Sequence, residues 1–82
     1  MKTYTDQYSY INSELTVKFT SGNGTVTGDV KTYNSRTGEV LEDSSGEVAS
    51  YDMQTNCFYW TFEIFSEDGE VMVRYNFKAN AN

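Results

Sequence analysis

At 82 residues the chain can build one hydrophobic core and is too short to divide its apolar side chains between two. With no histidine and one cysteine, it lacks the usual general base near neutral pH, any Ser-His or Cys-His nucleophile, the commonest zinc ligand and any internal disulfide. Its net charge of −6 argues against direct binding to nucleic-acid phosphates, which takes a basic surface.

Residues 1–13 scatter Tyr and Ile among polar residues, without the apolar run of an export signal. A cytoplasmic protein is therefore expected. Tyr4, Tyr8 and Ile11 carry the only helical spacing in the chain, so this stretch reads as irregular or as a short N-terminal helix.

From residue 14 onward, four segments repeat one pattern of Ser or Asp, two polar residues, Gly, Thr or Glu, and Val. They begin at Ser21, Ser35, Asp43 and Ser66. Ser and Asp can bond the backbone of a turn, Gly accepts positive φ, and Val opens a strand. Strands are expected at 14–20, 25–34, 39–42, 47–53, 57–65 and 70–78. Asn23-Gly24-Thr25 also fits a glycosylation acceptor, but hairpin geometry accounts for it better.

A register is tested by whether it gathers apolar residues on one face. A four-residue loop at 66–69 sets Ile64, Phe62, Trp60 and Phe58 opposite Val71, Val73, Tyr75 and Phe77. The turn at 21–24 sets Phe19, Val17 and Leu15 opposite Val26, Gly28 and Val30. The same rule opposes Thr32 to Leu41 and Leu41 to Val48. The ending at 79–82 has nothing to bury and is expected to fray.

The fold class is thus all-β, one antiparallel meander over residues 1–82, as a twisted sheet or a small up-and-down barrel. Aromatics make up 16% of the chain and bury roughly 150–250 Å² each, so a core can form without staples. No apolar stretch approaches the roughly 20 residues of a membrane-spanning helix.

Chemistry is sparse. Cys57 reads as a small apolar filler or strand-end residue. Neither a phosphate loop ending in Lys nor G-x-G-x-x-G is present. Glu63 with Asp52 could in principle serve glycoside hydrolysis, yet twelve acids make such pairs common and solubilising charge explains them better. Asp43-Ser44-Ser45-Gly46-Glu47 alternates oxygens but lacks a calcium loop's length and its closing Glu. No enzyme activity, cofactor or metal is expected.

One feature rises above background: residues 39–70 hold nine acidic side chains and no basic one. Solubility is the plain reading. The sharper one is docking on a basic protein surface, with Glu39, Glu42, Asp43, Glu47, Glu67 and Asp68 steering the encounter and Tyr51 and Tyr59 as anchors. The face opposite the expected core carries Tyr33, Val40, Tyr51, Met53, Tyr59, Phe65 and Met72. Either residues 1–13 cover it or it is a contact surface, a homodimer included.

The sequence favours a non-enzymatic protein-binding module, such as a small acidic inhibitor of the phage or mobile-element type, docking on a basic and even nucleic-acid-binding surface. The alternatives are a structural subunit of a virion or surface assembly, and a carbohydrate-binding module using Trp60, Tyr59 and Tyr51.

Overall fold

The computed structural model describes residues 2–20 and 24–81, the side chain of Lys2 excepted. Six strands follow one another, β1 (Lys2–Tyr8), β2 (Ile11–Thr20), β3 (Thr25–Asn34), β4 (Val40–Asp52), β5 (Cys57–Phe65) and β6 (Val71–Asn80). Each pairs antiparallel with the next, and the single sheet curls into a half-barrel. The all-β meander follows from alternating apolar and polar residues separated by Gly-bearing turns. The turn residues Ser21, Gly22 and Asn23 lie outside the described residues.

Strand alternation places Ile11, Ser13 and Leu15 of β2, Val26, Val30 and Thr32 of β3, Phe58, Trp60 and Phe62 of β5, and Phe77 and Ala79 of β6 on the buried inner face. The aromatic rings pack directly. Trp60 stacks on Phe77 at 5.9 Å and Phe62 on Tyr75 at 6.1 Å, while Tyr51 and Tyr4 tilt against Phe58.

The N-terminal stretch is neither irregular nor helical. It forms β1, running antiparallel from Lys2 opposite Val17 to Tyr8 opposite Ile11. Thr and Tyr suit a pleated surface, and the two-residue turn holds Ser9 at φ 48° without Gly or Asn to announce it. β1 therefore does not fold across the outer face as a second layer. Its Tyr4 and Tyr8 join the inner side, and the far edges of the curl meet through side chains. Tyr4 Oη donates to the Ala81 carbonyl at 3.2 Å, the Lys78 N–H donates to Asp6 Oδ2 at 2.8 Å, and Tyr8 meets Phe77 edge-on.

β4 is one strand where two short ones were expected. The Asp43–Gly46 stretch does not turn, because β3 supplies a continuous partner from Thr25 opposite Ser50 to Tyr33 opposite Val40. Gly46 keeps a positive φ of 111° inside the strand, and the ladder absorbs extra residues at Leu41 and Val48 as bulges. Thr32 consequently faces Glu42 and not Leu41. The bulge at Val48 also reverses the faces beyond it, which carries Tyr51 into the core.

Register differs in two further places. In the 57–78 hairpin, Ser66 N–H bonds the Glu70 carbonyl and Met72 bulges, so the strands slip by two. The pairs become Ile64–Val73, Phe62–Tyr75, Trp60–Phe77 and Phe58–Ala79. A slip of two preserves the faces, but Ile64, Val71 and Val73 end outside the core. Leu15 and Val17 face Val30 and Gly28 as expected, yet a bulge at Lys18 turns Phe19 outward, 64% exposed. The C-terminal stretch does not fray through 81: Ala79 is buried and the Ala81 N–H bonds the Asn56 carbonyl.

Candidate functional site

β4 and β5 are paired at only three positions, Ser50–Tyr59, Tyr51–Phe58 and Asp52–Cys57. Beyond Ser50 the two strands part, and a cleft opens between them. Val48, Ala49, Tyr59, Trp60, Thr61 and Phe77 line a volume of ≈ 380 Å³ near the fork. Val30, Glu42, Ser44, Glu47, Val48 and Thr61 line a second, of ≈ 280 Å³, farther out.

In an antiparallel ladder, alternate residues turn their N–H and C=O to opposite neighbours. The Tyr51 N–H bonds the Gly24 carbonyl, which fixes the phase of β4. Past the Val48 bulge, Glu42, Ser44 and Gly46 stand opposite Thr32, Val30 and Gly28 and bond β3. The backbone groups of Asp43, Ser45 and Glu47 then point toward β5. On β5 the bond between Ala81 N–H and the Asn56 carbonyl sets the complementary phase, leaving Thr61 and Glu63 pointing toward β4. Among the described residues no backbone bond joins these two edges.

The side chains of β4 divide by face. Asp43, Ser45 and Glu47 are exposed on the outside, whereas Glu42 and Ser44 are half-buried on the inside. Glu42 ends a polar chain through the core. Trp60 Nε1 donates to Ser13 Oγ at 2.7 Å, Ser13 and Thr32 hydroxyls meet at 2.8 Å, and Thr32 Oγ1 donates to Glu42 Oε1 at 3.3 Å. Ser44 Oγ donates to the other carboxylate oxygen at 3.2 Å. Because the indole only donates and the carboxylate only accepts, the hydroxyls between them point toward Glu42.

On the outer face, Ser45 Oγ donates to Asp29 Oδ1 at 2.7 Å, and Lys18 Nζ lies 3.2 Å from the other oxygen. The Ser45 hydroxyl, then the Lys18 ammonium, hold the Asp29 carboxyl below the usual aspartate range. Asp68 is lowered too, chiefly by the Ser66 hydroxyl donating to it within the 66–70 turn.

The expected binding residues separate into three groups. Glu42, Asp43 and Glu47 lie along β4 at the cleft, Glu39 lies in the exposed turn before it, and Glu67 and Asp68 lie at the tip of the β5–β6 hairpin. An up-and-down meander brings those two turns to the same end of the sheet. Tyr51 is not an exposed anchor: its ring lies on Phe58 and its hydroxyl donates to Asn56 Oδ1 at 2.6 Å. Tyr59 is half-buried at the fork with its hydroxyl on Thr55. Trp60 is 4% exposed, so Trp60, Tyr59 and Tyr51 form no exposed stacking platform.

Glu63 and Asp52 are not brought together. Asp52 faces Cys57, six positions before Glu63 along β5, a span of roughly 20 Å. Glu63 instead pairs with Arg74 at 2.9 Å. Among the described residues no group of three or more His, Cys, Asp or Glu is placed to hold a metal ion, and no helix could cross a membrane.

Sequence reasoning missed the cleft and the polar chain behind it. The available signal was Ser13 and Thr32, polar residues at core positions of the alternation. Comparison with protein-family models, curated proteins and solved structures finds no match.

Proposed function

We propose that the protein is a non-enzymatic binding module that docks on a basic surface of another protein. The observation that carries this reading is the open edge of β4, where Asp43 and Glu47 are exposed beside backbone groups that, among the described residues, no neighbouring strand bonds. The described ion pairs are Lys18–Asp29 and Arg74–Glu63, and neither residue joins them. Complementary charge would speed the encounter, and the apolar wall of the cleft would hold the complex. An inhibitor occupying a partner's nucleic-acid groove is the sharpest form of this reading. The buried thiol of Cys57 suits a reducing compartment such as the cytoplasm.

Surface plasmon resonance with the partner that the immobilised protein retains tests the reading. Raising salt from about 50 to about 500 mM shortens the Debye length from about 14 to about 4 Å and should slow association. The Asp43→Lys/Glu47→Lys variant, which leaves the inner chain at Glu42 untouched, should slow it likewise. Salt-insensitive association with unchanged kinetics in the variant would reduce the acidic edge to a solubility surface.

A second reading, as an assembly subunit, is favoured by the β5–β6 hairpin tip. Ile64, Phe65, Val71, Met72 and Val73 are all exposed there, Phe65 by 57% and Met72 by 66%. Sedimentation velocity should then show concentration-dependent association that Phe65→Glu abolishes.

A further inference from the structure

We propose that the partner enters as a β-strand: an extended segment adds along the open edge of β4, antiparallel to it, carrying the pattern basic, apolar, any residue, apolar, basic. The proposal rests on the binding reading above and gives the partner segment its chemistry. A strand edge recognises backbone, and three consecutive seam-facing residues of β4, Asp43, Ser45 and Glu47, offer N–H and C=O groups in ladder spacing.

The pattern follows from the faces. Residues directly opposite one another in an antiparallel pair lie on the same face. Bases on the incoming segment opposite Glu47 and Asp43 would meet carboxylates on the outer face, four positions apart. The residues opposite Gly46 and Ser44 would point inward, over the cleft where Val30 and Val48 lie beside Glu42, Ser44 and Thr61, so that an apolar side chain there would pack on the two valines. Space exists there, since a Cβ built on Gly46 would meet nothing within 4 Å. A segment between antiparallel neighbours is antiparallel to one and parallel to the other. Antiparallel pairing is slightly the stronger, and the acids lie on β4, so β4 takes the antiparallel ladder.

Charge complementarity selects this occupant over a second copy. The window 39–70 has no base to set against its own acids, and a second β4 edge would place like charges together.

Three synthetic peptides with Gly-Ser flanks provide the test, read by NMR on the isotope-labelled protein. The first carries Lys-Val-Thr-Val-Lys. The second, Val-Lys-Thr-Lys-Val, has the same composition in opposite phase. The third repeats the first with N-methyl groups on Lys, Thr and Lys, which blocks the donors aimed at β4. The first should slow hydrogen exchange at the amides of Asp43, Ser45 and Glu47. The second should bind about tenfold more weakly or worse, and the third should give no protection. Equal, salt-sensitive binding of all three would overturn strand addition and leave the acidic docking surface standing. Failure of all three at low salt would overturn both. Protection of the same three amides without peptide, rising with protein concentration, would assign the edge to a second copy and overturn the proposal.

Discussion

Ser13 is fully buried in the core: its oxygen accepts from Trp60 and its hydroxyl donates to Thr32, which in turn donates to Glu42. Ser13→Ala would strand the buried indole N–H, a loss of about 1–3 kcal/mol. Trp60→Phe removes the donor as well as its packing, so the double variant should cost less than the two single ones together, measured by urea unfolding. A second contact at this scale is sensitive to acid. The Asp29 carboxyl, lowered first by Ser45 and then by Lys18, contributes stability that is present above the usual aspartate value and fades as pH falls through its folded value. In Ser45→Ala its titration, followed by side-chain carbon NMR, should move up toward the usual value, and the stability difference from the parent should narrow in acid. That Ser13 and Thr32 are unusual is legible in the sequence, because each interrupts an apolar alternation. The bond from Trp60 to Ser13 is not, since it joins residues 47 positions apart.

Among the elements, the β5–β6 hairpin shows how a wrong register can still yield the right core. Phe58, Trp60, Phe62 and Phe77 are buried as expected because a slip of two keeps every side chain on its face. What changes is which pairs lie over the core. Phe62→Ala should cost about 3–5 kcal/mol by emptying a buried aromatic site, whereas Ile64→Ala, on the exposed arm, should cost less than about 1 kcal/mol. The expected register would make both costly, so chemical denaturation of the two variants separates the registers. β4 teaches the complementary lesson. Its Asp-Ser-Ser-Gly signal is a sound turn signal, but a full-length partner in β3 outweighs local preference, and the misfit survives as a positive φ at Gly46 and a bulge at Val48. Bulges add a residue without any residue type that announces them, which is why the inward position of Tyr51 could not be read from alternation alone.

The whole molecule has two seams of opposite kind, and neither is visible from local sequence. At the β1–β6 seam, side chains substitute for a ladder: Asp6 reaches the Lys78 N–H, 72 positions away, and Tyr4 reaches the Ala81 carbonyl. At the β4–β5 seam the ladder stops after three positions and leaves both edges open. Hydrogen exchange should therefore divide the amides by direction as well as by strand. The N–H groups of Phe58, Trp60 and Phe62 face β6 and should exchange slowly, while those of Thr61 and Glu63, on the same strand, face the open seam and should exchange fast. The Lys78 amide should be protected in the parent and exposed in Asp6→Ala, which takes away its acceptor and leaves the β4–β5 edges unchanged. Fast exchange at Asp43, Ser45 and Glu47 in both proteins would place the open seam in solution as it lies in the structure. Slow exchange there in dilute, monomeric protein would mean that β4 and β5 close on each other, and a closed barrel would leave no edge for a partner to join.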